Sequence, residues 1–283
     1  MIDPAKANHA FQKLDQSLTP LWKHPTPRQI HKLRTRTRRV EALLDALMLD
    51  RQRDGKLLRK SLTPIRKKAG RVRDADVLIG FAATLSSSGE EECLIRLLEH
   101  LGRVRDKSVR KLRDTFSAHR KEARALLRQC ADSVGGQLAV SRRDDAAARE
   151  RSAESTAAAI TLWSEFSEWP RLTDANLHSF RLKVKELRYI LQLAPDGDTE
   201  LVKILGQVKD ASGAWHDWNE LAGIAAGTLD HGSRCAILKQ IRSTTQTKLE
   251  EALAAAKSMR NKYRANDESG LPRQFPSEIE RPG

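Results

Sequence analysis

The sequence predicts an all-α protein, and three observations carry that reading. A helical pattern occurs twice, 147 positions apart, as HKLRTRTRRVEALLDAL from His31 to Leu47 and HSFRLKVKELRYILQL from His178 to Leu193. The 283 residues include only 10 Pro and 15 Gly, and runs of β-branched residues are few. Hydrophobic residues make up 39% and charged residues 31%, enough apolar material to give amphipathic helices a sizeable core.

The elements follow in order from periodicity and punctuation. An opening helix is expected from Pro4 to Leu18, then a TPLWKHPTP connector, then the first basic helix from Pro27, where proline suits a first turn. A helix over Asp54 to Ala69 should be followed by a separate GRVRDADVL segment, Gly70 to Leu78. The Ser86-Ser87-Ser88-Gly89 turn precedes one long helix from Glu90 to Ala131, with Gly135-Gly136 as its breaker. An alanine-rich helix from Asp144 to Trp169 should end at Pro170. The second basic helix starts at Thr173 with Asp174 as cap and ends at Pro195 and Gly197. Shorter helices are expected within Asp198 to Ala226 and a long one within Ser233 to Arg264. The Pro, Ser, Glu and Gly content from Asn266 onward is that of a disordered tail.

The duplicated helices carry the functional signal. At about 100° per residue, Arg34 and Arg38 fall within about 60° of His31 on one face. Leu33, Thr37, Val40, Leu44 and Leu47 gather opposite. His178, Arg181 and Lys185 repeat the polar face, and Phe180, Val184, Leu187 and Leu191 repeat the apolar one. A solvated surface helix would explain a charged face by itself. Yet Arg28 to Arg39 holds six Lys/Arg and no acid, so mixed-sign i,i+4 support is missing and like charges repel. That repulsion points to an external anion. A second paired element, GRVRD at Gly70 to Asp74 and GQVKD at Gly206 to Asp210, adds Arg71, Arg73 and Lys209. Its glycines fit either a tight turn or a close helix approach, and its aspartates either cap a helix or hold an arginine. A further GRVRD at Gly102 to Asp106 lies inside the long helix with no basic helix before it, and no binding role is assigned to it.

Charge and composition bound the partners. The net charge of +14 calls for nucleic acid, an anionic membrane surface or a smaller polyanion. Aromatic residues are 5% of the chain, leaving little on which bases could stack. No apolar stretch reaches 18 residues and the N-terminus lacks a signal-peptide core, so a cytoplasmic protein is expected. Cys93, Cys130 and Cys235, odd in number and widely spaced, fit neither a disulfide framework nor a zinc site and read as reduced residues. No carboxylate pair, phosphate loop, nucleophile-base set or metal cluster stands out, so neither catalytic residues nor a cofactor is expected. The Glu90-Glu91-Glu92 run reads as a helix N-terminus favoured by the macrodipole.

Taken together, H-x-x-R-x-x-x-R-R in the first half, G-R-V-R-D-A-D-V-L after it, H-x-x-R-x-x-x-K-x-L-R-Y in the second half and L-G-Q-V-K-D near Gly206 resemble the CHAD domain, over Ala5 to Arg264. The resemblance implies two four-helix bundles related by pseudo-twofold symmetry, with long helices and a central basic cavity and groove. The halves would run about 1–135 and 144–265 within a domain of 1–265, with 266–283 as tail. It further implies binding of inorganic polyphosphate without catalysis, association with polyphosphate granules and with polyphosphate-metabolising enzymes. His31, Arg34, Arg38 and Arg39 with His178, Arg181, Lys185 and Arg188 would line the inner surface. Two departures stand out: Glu186 replaces Arg39, and Trp215-His216-Asp217-Trp218 has no counterpart in the motif. Protonated His31 and His178 could donate to phosphate below about pH 6.5; neutral histidines bonded to a neighbouring helix are the alternative. A helical RNA- or DNA-binding protein is the rival reading.

Overall fold

A computed structural model describes residues 4–19, 24–46, 49, 52–86, 89–141, 165–166, 168–193, 199–229 and 234–267. Seven α-helices and no strand occur among these residues: α1 Pro4–Leu18, α2 Pro27–Ala46, α3 Arg53–Ala82, α4 Glu91–Ser141, α5 Asp174–Leu193, α6 Thr199–Thr228 and α7 Ala236–Asp267. No helix among them is long and apolar enough to cross a membrane.

The chain forms two compact units. Residues 2–144 with 223–239 make the first, and 145–222 with 240–283 the second. In the first, α3 packs along α4, α2 lies on α3, and α1 touches both α2 and α4. Its core joins Phe11, Leu14 and Leu18 of α1, Leu33, Val40 and Leu44 of α2, Leu58, Leu62 and Ile65 of α3, and Phe116 and Leu127 of α4. The core of the second unit joins Leu177, Phe180, Val184, Leu187 and Leu191 of α5 with Leu205, Val208 and Trp215 of α6 and Ala252, Ala256 and Met259 of α7. Both predicted apolar stripes are thus buried, except that Leu47 lies outside the described residues. Thr37, the one polar member, satisfies its buried hydroxyl by donating to the Leu33 carbonyl oxygen at 2.9 Å.

The two basic helices start alike in one bond, from a threonine N–H to the side chain three residues on. The Thr26 N–H donates to Gln29 Oε1 at 2.8 Å and the Gln29 N–H to Thr26 Oγ1 at 3.3 Å, a capping box with glutamine. At the positions 147 further on, the Thr173 N–H donates to Asn176 Oδ1 at 2.9 Å. Asp174 is therefore the first helical residue, not the cap, and accepts from the Ala175 N–H at 2.9 Å.

Three glycine sites depart from the expected breaks. The helix begun near Asp54 continues through Gly70 to Ala82, because Val72, Ala75, Leu78 and Ala82 prolong the buried stripe of Leu62, Ile65 and Ala69. Helix α4 continues through Gly135-Gly136 to Ser141. One 30-residue helix replaces the shorter ones expected between Asp198 and Ala226, with Gly206 and Gly213 inside it. At Gly70, Gly206 and Gly213 the glycine costs its helix only about 1 kcal/mol, less than the adjoining buried residues return. The body of the alanine-rich segment, 144–164, and the tail from 268 lie outside the described residues.

Candidate functional site

Helix continuity turns Gly70, Gly206 and Gly213 into places where another helix's arginine lies against bare backbone. In the first unit a Cβ on Gly70 would stand 2.8 Å from Arg34 Nη1, so the guanidinium occupies the space a side chain would need. Asp74 lies one turn further along α3 and attracts it. Burial, then Arg38, and then Arg66 and Arg73, pull the Arg34 pKa down, and Asp74 opposes them; the side chain stays charged regardless. Of these cations, Arg66 is already held by Glu41, Nε to Oε2 at 2.7 Å. Four arginines thus share two carboxylates, and the surplus is positive. His31 and Arg39 are exposed on α2 and Arg71 on α3, while Arg38 and Arg73 are half-buried.

In the second unit Arg181 takes the place of Arg34, but the glycine beneath it is Gly213. A Cβ there would stand 3.2 Å from Arg181 Nη2. Gly206, singled out by the G-Q-V-K-D match, lies instead under Arg188, with Nε at 3.5 Å. The counterpart of G-R-V-R-D is therefore G-A-W-H-D, Gly213 to Asp217, which has the same glycine-to-aspartate spacing. This accounts for the Trp215-His216-Asp217-Trp218 stretch: His216 stands in the slot of Arg73, and Trp215 and Trp218 are buried. The sequence motif gives His216 no counterpart because the letters that match G-R-V-R-D lie seven residues earlier, at Gly206 to Asp210. Its ring centroid is 5.0 Å from that of His178. Burial first, then His216, Arg181 and Lys185, hold the His178 pKa below its ordinary value. In the free protein its proton is lost at a lower pH than for an isolated histidine; a bound anion would reverse that preference.

The copies differ in sign at two positions, Arg39 against Glu186 and Glu41 against Arg188. Glu41 of α2 answers to Arg188 of α5, which is 147 positions on. Glu41 pairs with Arg66, whereas Arg188 keeps a buried Nε with no hydrogen-bond partner. Lys185 is half-buried on α5, and Lys209 is paired with its neighbour Asp210 at 2.6 Å. Asp74 and Asp210 both sit inside helices, so neither caps one. The side chain of Tyr189 lies outside the described residues. Arg105 of the other G-R-V-R-D has structural partners: Nε bonds Asp76 Oδ1 at 2.6 Å and Nη2 donates to the Pro25 carbonyl at 2.8 Å.

Two kinds of comparison bear on the family and the fold. The family model described as CHAD domain matches residues 5–226. The crystal structure of the CHAD domain from the plant Ricinus communis superposes with a TM-score of 0.61 at 15% identity, covering 91% of this chain and 90% of that one. PptA from Streptomyces chartreusis gives 0.59 at 16%, covering 90% and 96%. No curated protein matches the chain.

Proposed function

Because the chain belongs to the CHAD domain family, we propose that it binds inorganic polyphosphate, the family's known ligand, through the basic faces of α2 with α3 and of α5 with α6. The observation that carries this reading is the repeated seat of Arg34 on Gly70 and Arg181 on Gly213, each inside a cluster with more cations than carboxylates. Guanidinium groups held close against backbone are preorganised to donate to phosphate oxygens. Polyphosphate offers closely spaced anionic oxygens without bases, so binding in several registers needs no sequence readout. His31, Arg38, Arg39, Arg71 and Arg73 flank the first seat, and His178, Lys185, Arg188 and Lys209 the second.

The finer picture belongs to the same proposal: two four-helix bundles of about residues 1–135 and 144–265, related by a pseudo-twofold axis around a basic cavity, with 266–283 as a tail. The protein binds without catalysis. It works in the cytoplasm at polyphosphate granules and serves enzymes that make or degrade the polymer. Titration calorimetry with long-chain polyphosphate tests the reading at two salt concentrations, with duplex RNA at equal phosphate as competitor. Tight binding that resists RNA, weakens with salt and falls at least about tenfold in Arg34→Ala/Arg181→Ala is expected, since each lost charge-assisted contact removes roughly 1.5–3 kcal/mol. Equal or better RNA binding, or an unaffected variant, would mean that the duplicated helices are only a fold signature and that the positive charge serves another partner.

A further inference from the structure

The first unit brings together two cysteines that sequence spacing keeps apart. Cys93, in the first turn of α4, and Cys235, immediately before α7, are both buried. Glu90, just ahead of α4, is half-buried beside them. The two Sγ atoms and a Glu90 carboxylate oxygen all lie within 4.8 Å of one another. Glu90 Oε2 accepts from Cys235 Sγ at 3.3 Å and from the Ile237 N–H, at the start of α7, at 3.1 Å. Capping α7 requires one carboxylate oxygen; it does not require two sulfurs on the same spot.

We propose that Glu90, Cys93 and Cys235 form a binding site for one thiophilic divalent cation of the Zn²⁺ class. Two sulfurs and one carboxylate oxygen are the donor set that such an ion prefers over Mg²⁺ or Ca²⁺, which take oxygen ligands. Each thiol gives up its proton to solvent as its sulfur takes the metal, and the fourth tetrahedral position falls to a water. The dithiolate, the carboxylate and the ion then carry one net negative charge, which Arg96 is close enough to offset: it already draws on the Cys93 thiol. The ion would clip the start of α4 to the start of α7 inside one unit. Cys130, buried elsewhere, with its thiol pushed up to about 11 chiefly by desolvation, has no such neighbours and stays inert.

The test is titration of the reduced, full-length protein with Co²⁺, read by the thiolate-to-cobalt charge-transfer band and the visible bands of tetrahedral cobalt, followed by displacement with Zn²⁺. One equivalent bound, with the band lost in Cys93→Ser and in Cys235→Ser but kept in Cys130→Ser, is the expected result. Absence of the band in the wild-type protein with excess Co²⁺ and its thiols counted as free overturns the proposal. So does a band that survives in Cys93→Ser, or a Cys93–Cys235 disulfide that forms in air while the reduced protein ignores the metal. The wild-type titration decides the matter even if a serine variant folds poorly, and circular dichroism of each variant separates the two cases.

Discussion

A methyl group on Gly70 would stand 2.8 Å from the far end of Arg34, and a side-chain tip gives way more easily than backbone. Gly70→Ala should therefore fold with unchanged or slightly higher stability, up to about 1 kcal/mol from helix propensity, while dislodging the guanidinium from its seat. The expected pairing is a Tm that holds or rises and a polyphosphate affinity that falls; thermal melting and calorimetry on one sample check both. A fall in Tm of several degrees with binding intact would mean that the glycine serves packing alone. Its counterpart Gly213 shows what was legible at this scale. The arginines and histidines of α2 and α5 were readable from the helical wheel, because period and charge lie in the sequence. The identity of the glycine under Arg181 was not, since G-Q-V-K-D matches G-R-V-R-D better by letter than G-A-W-H-D does. Only the contact across two helices distinguishes them.

At the scale of the element, arginine also holds helices together. Arg36 donates to Ser17 Oγ at 2.7 Å and to the Lys13 carbonyl at 2.8 Å, and Arg124 holds Asp15 through both its oxygens, so α2 and α4 each grip α1 through charge. The Asp15 carboxyl is held below its ordinary range by its hydrogen bond to Arg124, so this grip is present above about pH 4 and is lost as the pH falls through the depressed value. Arg105 is the more demanding case: the Asp76 side chain is 2% exposed, and removal of its partner strands a buried carboxylate. Arg105→Ala should cost about 3–5 kcal/mol in denaturant unfolding, and adding Asp76→Asn should recover part of it. A cost under about 1 kcal/mol would show that water reaches Asp76. The composition-level argument that excess charge seeks a ligand cannot tell Arg105 from Arg34. Their partners sit on other helices, and that also explains the misread breaks: Gly70 and Gly206 look like punctuation until the adjoining core is included.

For the whole molecule, a net charge of +14 makes the free protein self-repelling, and a polyanion that binds only the folded chain stabilises it by mass action. At a ligand concentration of about 100 Kd the gain is roughly 2.7 kcal/mol, or about 5 °C in Tm for a chain of this size. The gain should grow on passing from about pH 7.5 to about 6. In the free protein the lowered pKa of His178 makes folding less favourable as the pH falls below its unfolded value, and bound phosphate supplies the charge that restores the proton. Thermal melts with and without polyphosphate at both pH values check this; a pH-independent gain would assign the binding to the arginines and lysines alone. One feature of the chain path has a consequence of another kind. Residues 223–239, with Leu229, Cys235, Ile237 and Leu238 buried, belong to the unit that otherwise consists of 2–144. On the ribosome, where domains ordinarily fold in the order they emerge, this unit must wait for residue 239, its apolar surface unfinished while the whole of α5 and most of α6 are still being made.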